Sequence, residues 1–395
     1  MNQPSLELGG GDVAKMIESL NNEYPRLCSL ILERACNLQC AHCIFQPEKT
    51  SIEASRSVGY EGLACNIISQ MAPNPFVIHE GRILRDWHLG LFADIREIRP
   101  DAKIGMIDNG TYLRHEKLFR KNDFLLDWID ISFDGTKEVH NKQRCSTTAF
   151  DTALKGVQEA RRFVRPKEEG SKVTTLFTVT NWNYHDVYNT AALLLGQNLV
   201  DEFHITPFSP VRTEIEPLFF CPGYKEGKVD ECIVLWEQIQ RIWKEFNGKN
   251  GKSIFVRVYQ HADLEKIARA VGVEKFMKAF ENKEVVSVDQ GSVSFEIDGV
   301  RITYVPLSIC PSETFVIDAD GQYRMAYCLK YTLEELNSGI SKEGKDTKPY
   351  TVAKLMPNSS FKDLFHLGAE QWVKVFGEDY LQKEFEMFRS LREIV

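Results

Sequence analysis

The stretch LCSLILERACNLQCAHC occupies residues 27–43 and joins a short apolar run to three closely spaced cysteines. Residues 27–33 predict a buried β-strand, because a short apolar run bounded by polar residues is typical of one. Cys36, Cys40 and Cys43 follow this strand directly. The three thiols are therefore predicted to lie in a loop. The fold around this loop is predicted from the strand patterns that follow it.

Five further strand patterns follow, separated by helical patterns in which apolar residues recur at spacings of three and four. The strands are predicted at 75–79, 102–107, 128–133, 172–179 and 202–207. Near-continuous apolar strands alternating with helices predict a parallel sheet, and right-handed crossovers curl such a sheet into a partial barrel. The predicted fold class is α/β, a partial (β/α)6 TIM-like barrel with functional residues at the carboxyl ends of its strands.

After residue 210 the pattern changes. Residues 211–290 are predicted to be a helical insertion or linker. Alternating apolar residues around Asp298-Gly299 predict a β-hairpin, and a second hairpin is centred on Asp320-Gly321. We divide the chain into an N-terminal segment (1–25), the barrel (26–210), the insertion (211–290) and a smaller α+β region of hairpins and helices (291–395).

Composition narrows the possible functions. The net charge of −8 lacks the basic excess of a nucleic-acid binder. The apolar runs are too short to span a bilayer, and residues 1–12 have no features of a signal peptide. We expect a cytoplasmic protein with no nucleic-acid or membrane partner. Its ten cysteines are then poor disulfide candidates, which leaves metal ligation, reactive thiols and core packing.

The three thiols of the loop can converge on one small object, but they cannot form disulfides among themselves without severe strain. A structural zinc site normally takes four protein ligands. Three thiolates with an unfilled fourth position instead suit a [4Fe–4S] cluster with one open iron. A zinc site, an inert cluster and buried core cysteines are the alternatives.

Cys-x3-Cys-x2-Cys after the first strand of a βα barrel resembles the radical S-adenosylmethionine (radical SAM) superfamily. The resemblance implies that the open iron binds the amino and carboxylate groups of S-adenosylmethionine. It also implies cleavage by one electron, from a donor such as flavodoxin or ferredoxin, to a 5′-deoxyadenosyl radical that abstracts a hydrogen atom from the substrate. His42 stands where the family usually has an aromatic residue near the adenine.

Two strand ends carry further parts of the resemblance. IHEGR at 78–82 retains a glutamate and a glycine where the family has Gly-Gly-Glu, which implies that Glu80 binds the methionine amino group. A surface turn is the alternative. IDNGT at 107–111 is similar to the family's Thr-Asn-Gly turn, which implies a cofactor contact from Asn109, although a tight turn also explains an Asn-Gly pair.

The fourth strand ends in ISFDG at 131–135, and His140 and Arg144 follow. This resembles the Ser-x-Asp-Gly…His-x3-Arg pattern of the branch that carries a C-terminal SPASM or twitch domain. The resemblance implies that Ser132 and Arg144 contact S-adenosylmethionine, and a guanidinium can indeed pair with its carboxylate. A loop with a surface ion pair is the alternative. Asp134 suits a cofactor ligand and a turn residue equally.

Cys310 and Cys328 flank the second hairpin. This resembles the first half of a SPASM or twitch domain, which implies a second, auxiliary [4Fe–4S] cluster. Cys221 and Cys232 are the candidates for its remaining ligands. The alternative is a degenerate domain that has lost the metal.

The sequence therefore predicts a radical SAM oxidoreductase that acts on a peptide or small-molecule substrate, by cross-linking, epimerisation or oxidation. Cys145 is a candidate catalytic hydrogen-atom donor, as an epimerase needs. Unchanged product formation by Cys145→Ala would remove that role. The alternative function is a non-catalytic iron–sulfur or zinc protein serving as a scaffold or in electron transfer, which the altered Gly-Gly-Glu run favours.

Overall fold

The computed structural model describes residues 27–31, 36–43, 59–80, 86–111, 125–207, 218, 220–223, 226–259, 261–281, 285–289, 292–304, 314–317, 322–324, 351–361, 363–364 and 367. The N-terminal segment predicted at 1–25 and the candidate ligands Cys310 and Cys328 lie outside these residues. Glu80 belongs to a described strand, but its side chain does not belong to the described part.

Seven parallel strands form the centre of the molecule, and each pairs with the next one along the chain. They are β1 Leu27–Leu30, β2 Phe76–Glu80, β3 Lys103–Asp108, β4 Trp128–Ser132, β5 Lys172–Val179, β6 Glu202–Pro207 and β7 Ser253–Val258. The first six are the predicted strands, so the α/β fold class is confirmed. Strand β7 was not predicted and lies within the segment expected to be a helical insertion.

Helices connect the strands and cover one face of the sheet. They are α1 Tyr60–Ser69, α2 Asp86–Ile98, α3 Lys137–Gln143, α4 Ala149–Ala160, α5 Val187–Gly196, α6 Asp230–Phe246, α7 His261–Val271 and α8 Val273–Glu281. Helix α4 shows why they pack there: Ala153, Val157 and Ala160 recur at spacings of three and four and are buried. Among the described residues, no helix is both long enough and apolar enough to cross a membrane.

The later strands extend the same sheet at both edges. They are β8 Val285–Asp289, β9 Ser292–Ile297, β10 Val300–Tyr304, β11 Thr314–Ile317, β12 Gln322–Arg324 and β13 Thr351–Lys354. Within the described ranges the sheet has 13 strands in the order β13-β12-β11-β1-β2-β3-β4-β5-β6-β7-β10-β9-β8, and these strands form an open sheet. The predicted β9–β10 hairpin is confirmed, with Asp298 and Gly299 at φ 55° and 79° as its turn requires.

The two faces of the parallel sheet differ in polarity. Ile129 and Ile131 of β4 and Phe203 of β6 join the helices in one apolar core. Side chains alternate between the faces of a strand, so Asp130, Ser132, Glu202 and His204 lie on the other face, which we call the inner face. The face toward the helices is therefore apolar, whereas the face toward the inside of the partial barrel carries several polar side chains among apolar ones.

Candidate active site

The three-cysteine loop is anchored to the end of α3. The Ala41 N–H donates a hydrogen bond to the carbonyl of Gln143 (2.9 Å), and the Cys43 N–H donates to the carbonyl of Cys40 (3.1 Å). The thiols of Cys36, Cys40 and Cys43 are all partly exposed. The loop is thus a compact turn that presents three thiols rather than burying them in the core.

Asn109 contacts this loop from the end of β3. Its Nδ2 donates to Asn37 Oδ1 (2.8 Å) and lies 4.0 Å from Cys36 Sγ. Its Oδ1 accepts a hydrogen bond from the Thr111 N–H (3.0 Å), which is the side-chain turn that asparagine favours. The predicted site residue Asn109 therefore lies beside the first cysteine.

Close packing against α4 sets the position of the Asn109 turn. Gly110 has φ +79°, and a Cβ added there would lie 2.7 Å from Ala153 Cα. A Cβ added at Gly156 would lie 2.2 Å from the carbonyl oxygen of Gly110. Two glycines are needed because the turn and the helix meet backbone to backbone.

Asp134 and Arg144 form a buried ion pair next to the loop. Arg144 Nη2 lies 2.6 Å from Asp134 Oδ2, and the two side chains are 8% and 0% exposed. Arg144 Nη1 also donates to Cys40 Sγ (3.6 Å), and Asp134 Oδ1 accepts a hydrogen bond from the Thr178 N–H (3.1 Å). The pair is buried, so the alternative of a surface ion pair is wrong.

The charges of this pair are mutually dependent. Burial alone would raise the pKa of Asp134, but the Arg144 guanidinium and nearby His42 lower it below its usual value. Burial also acts to lower the pKa of Arg144. The effects of Asp134 and Cys40 are larger than that of burial, so the pKa of Arg144 is raised. Burial raises the pKa of the Cys40 thiol to about 11, with Arg144 acting in the opposite direction. The site therefore places a permanent cation, the Arg144 guanidinium, beside the thiol of Cys40.

Two histidines adjoin Asp134 and are neutral at neutral pH. Burial lowers the pKa of His42 to about 4 and that of His140 to about 3, although Asp134 acts against both shifts. The Asp134 N–H donates to His140 Nδ1 (3.0 Å), and His42 Nε2 lies 3.7 Å from Asp134 Oδ2. His140 thus holds the strand-end turn, and the His42 ring is uncharged; its predicted place near the adenine stays a prediction.

The other predicted site residues lie at the same ends of the strands. Ser132 ends β4 on the inner face, two residues before Asp134. Cys145 follows Arg144, is exposed, and has φ 50°. Glu80 ends β2, with its side chain outside the described residues. The cofactor contact of Ser132 and the hydrogen-donor role of Cys145 stay predictions.

Cys221 and Cys232 lie together at the start of α6. Both thiols are buried, and a hydrogen bond from Cys232 is the largest cause that lowers the pKa of Cys221. Cys221 Sγ also donates to the carbonyl of Lys228 (3.3 Å). Their participation in an auxiliary cluster stays a prediction, because Cys310 and Cys328 lie outside the described residues.

Sequence reasoning missed the amides that brace the Asp134 turn. Asn183 Nδ2 donates to the carbonyls of Asp134 and Thr178 (both 2.9 Å). Gln143 Nε2 donates to the same Thr178 carbonyl (3.2 Å), and its Oε1 accepts a hydrogen bond from Thr180 Oγ1 (2.7 Å). The available signal was the polar run directly after β5, at the strand end where functional residues are expected.

No three His, Cys, Asp or Glu side chains in the described part of the chain are arranged around a single metal ion. In a [4Fe–4S] cluster each thiolate binds a different iron, so the cysteines need not converge on one point. Three partly exposed thiols beside a buried cation fit such a cluster. The fold and the loop thus define an open α/β partial barrel with a cysteine-rich site at the carboxyl ends of its strands.

Two curated proteins are similar in sequence to parts of this chain. No family model matches the chain. Fe-coproporphyrin III synthase of Methanosarcina barkeri is 31% identical over 160 residues, 40% of this chain and 37% of that protein. Pre-heme d1 synthase of Dinoroseobacter shibae is 27% identical over 186 residues, 44% of this chain and 41% of that protein. The chain thus spans about two fifths of the length of these curated relatives.

Solved structures agree on the fold. Native anSMEcpe with bound AdoMet and the Cp18Cys peptide has a TM-score of 0.55 at 13% identity, covering 94% of this chain and 100% of that chain. Streptococcus suis SuiB bound to the precursor peptide SuiA has a TM-score of 0.50 at 12% identity, covering 83% of this chain and 65% of that chain. The predicted resemblance to radical SAM enzymes is thus confirmed.

Proposed function

We propose that the chain is an enzyme that binds a [4Fe–4S] cluster through Cys36, Cys40 and Cys43 and S-adenosylmethionine at the open iron. When bound, these groups supply reductive cleavage to a 5′-deoxyadenosyl radical, which abstracts a hydrogen atom from the substrate. The electron comes from a donor such as flavodoxin or ferredoxin. The observation that carries the proposal is the buried Arg144, which donates to Cys40 Sγ.

The surroundings of the thiols support a cluster. Three thiolates give a [4Fe–4S] cluster a net negative charge, and a buried guanidinium beside Cys40 offsets that charge. The Asn109 amide, 4.0 Å from Cys36 Sγ, can donate to a thiolate at that position. Hydrogen bonds and charges of this kind tune the reduction potential of a cluster.

Arg144 also supports the binding of S-adenosylmethionine. Its Nη atoms contact Asp134 and Cys40, whereas its buried Nε has no hydrogen-bond partner in the described structure. A buried donor without a partner costs about 1–3 kcal/mol, so a ligand carboxylate that accepts its hydrogen bond is stabilising. Asp134 would hold the guanidinium in place while Arg144 binds that carboxylate.

The substrate in this proposal is a peptide or a small molecule. Both sequence relatives are synthases of small molecules, Fe-coproporphyrin III and pre-heme d1. The structural relatives anSMEcpe and SuiB were solved with peptides bound. The inner face of the sheet carries Asp130, Ser132, Glu202 and His204, and such polar side chains suit a substrate with hydrogen-bonding groups.

The test uses protein reconstituted anaerobically with iron and sulfide. We expect about four irons per chain, a change in the EPR spectrum on addition of S-adenosylmethionine, and 5′-deoxyadenosine after reduction with dithionite. Cys40→Ala should lose all three, whereas Cys65→Ala, which changes a half-buried cysteine of α1, should retain them. A chain that holds the cluster but never cleaves S-adenosylmethionine would instead be the scaffold or electron-transfer protein.

A further inference from the structure

The inner face of the sheet carries a buried carboxylate that the cofactor site does not use. Asp130 lies on β4 between Trp128 and Ser132, on the same face as both. Its neighbours across the sheet are Ile107 of β3 and Thr174 of β5. Ser132 is the next residue of this face toward the site, so Asp130 lies one step deeper inside the partial barrel than the predicted cofactor contact.

Asp130 is buried without being satisfied. The residue is 8% exposed, and its Oδ1 has no hydrogen-bond partner among the described residues. An unsatisfied buried polar atom destabilises the fold, and it does so more strongly when it is charged. The opposite face of β4 is filled by Ile129 and Ile131, which are fully buried in the apolar core, so a partner for Oδ1 can only come from the inner face.

The neighbouring carboxylate shows what a satisfied acid on this face looks like. Thr174 of β5 lies between Asp130 and Glu202, so the two acids belong to the same row of cross-strand neighbours. Glu202 Oε2 lies 3.2 Å from His204 Nε2. Its Oε1 contacts the Lys172 ammonium. Glu202 therefore has a partner for each oxygen, and Asp130 is the acid of this row that lacks one.

The indole of Trp128 lies beside Asp130 on the inner face, over β3. A Cβ added at Gly105 would lie 2.1 Å from Trp128 Cε2, so the glycine lets the indole lie flat over β3. Burial raises the pKa of Asp130, and His204 and Arg257 act against that shift. A bound cation would offset the burial cost of the carboxylate, which a neutral hydroxyl would do only weakly.

We propose that Asp130 binds a protonated amine of the substrate on the inner face of the partial barrel. The inference rests on the proposed function only in taking the ligand to be the substrate. A charge-assisted hydrogen bond from the ammonium satisfies Asp130 Oδ1, which has no partner in the part of the chain that the structure describes. The amine is then bound at Asp130, two residues before Ser132 on β4 and deeper inside the partial barrel. The rest of the substrate extends toward the radical site at the carboxyl ends of the strands.

The experiment uses the full chain, reconstituted anaerobically, and methylammonium chloride as the probe. Ionic strength is held constant with tetramethylammonium chloride, which has the charge without an N–H donor. We expect a saturable rise in Tm of about 2–4 °C for the unaltered chain, because a ligand that binds only the folded state stabilises it. Asp130→Asn should lose the rise, whereas Glu202→Gln and the surface variant Asp151→Asn should keep it.

Three outcomes would overturn the proposal: no rise for the unaltered chain, an equal rise in Asp130→Asn, or an equal rise with methanol, which is a neutral donor. Should Asp130→Asn not fold, the carboxyl infrared band of the unaltered chain decides, since methylammonium must shift it in that chain and in Glu202→Gln. Formation of 5′-deoxyadenosine without substrate is measured in parallel. Its absence everywhere would contradict the proposed function, while the Tm result would still decide the role of Asp130.

Discussion

Replacing Asp134 by asparagine removes the carboxylate that pairs with buried Arg144. Asparagine has the same shape and keeps an oxygen that can accept the Thr178 N–H, so the lost charge is the main change. The side chains of Arg144 and Asp134 are 8% and 0% exposed, and water cannot replace the missing partner. We expect the free energy of unfolding to fall by about 3–5 kcal/mol, the usual cost of leaving one charge of a buried pair alone.

A double-mutant cycle separates the pair from its surroundings. Arg144→Gln should also destabilise the protein, because it leaves the Asp134 carboxylate buried without its cation. The double variant removes both charges, so its cost should be smaller than the sum of the two single costs by about 1–3 kcal/mol. That difference measures the interaction between the two side chains directly.

The assay is urea unfolding of the reduced, cluster-free chain, followed by far-ultraviolet circular dichroism. Asp151→Asn is the matched control, because Asp151 pairs with Lys137 at the surface and both side chains are more than half exposed. Its cost should stay below about 1 kcal/mol. If Asp134→Asn costs no more than this control, or if the two single costs simply add, the buried pair does not have the energetic role argued here.

Two further predictions concern packing and acid stability. Gly156→Ala should destabilise the chain by about 1–3 kcal/mol and lower the iron bound after reconstitution, because the new Cβ would meet the Gly110 carbonyl; Gly62→Ala, with no atom within 4 Å of the added Cβ, should not. The pKa of Asp201 is lowered, since hydrogen bonds from the Val173 N–H and from Lys167 outweigh its burial. The ionised Asp201 carboxylate therefore stabilises the folded state above its unfolded-state pKa, and this stabilisation is lost as the pH falls through the lower folded-state pKa. The urea midpoint should accordingly drop more steeply in acid for the unaltered chain than for Asp201→Asn, and parallel profiles would contradict this.

The six predicted strands agree closely with the structure, and the physical reason is local. A buried parallel strand needs a run of apolar residues, and β5 and β6 begin and end at the predicted residues, 172–179 and 202–207. Strand β7 was missed because its sequence, SIFVRV, lies in a segment dominated by helical patterns. Its pairing with β6 makes it a strand, and pairing between distant segments is not visible in a local pattern.

The site divides in the same way. The spacing of Cys36, Cys40 and Cys43 is a local feature, and it identified the loop without the structure. The sequence did not identify the partner of Arg144, because Asp134 suited a turn residue equally well. Only the fold of α3 brings Arg144 back into contact with Asp134. The contact of Asn109 with Asn37 joins residues 72 positions apart. Only the packing of β3 beside the loop creates it.

The sequence by itself determined the parallel strands and the place of the three-cysteine loop, and it predicted the class of chemistry. Three thiols in eight residues after a first strand, with strands and helices alternating behind them, carry that information through spacing and periodicity. The tertiary structure decided the electrostatics: the burial of the Asp134–Arg144 pair, the neutral state of His42, and the unsatisfied Oδ1 of Asp130 on the inner face. Burial and charge pairing depend on which distant segments pack together. The environment of each site residue is therefore visible only in the tertiary structure.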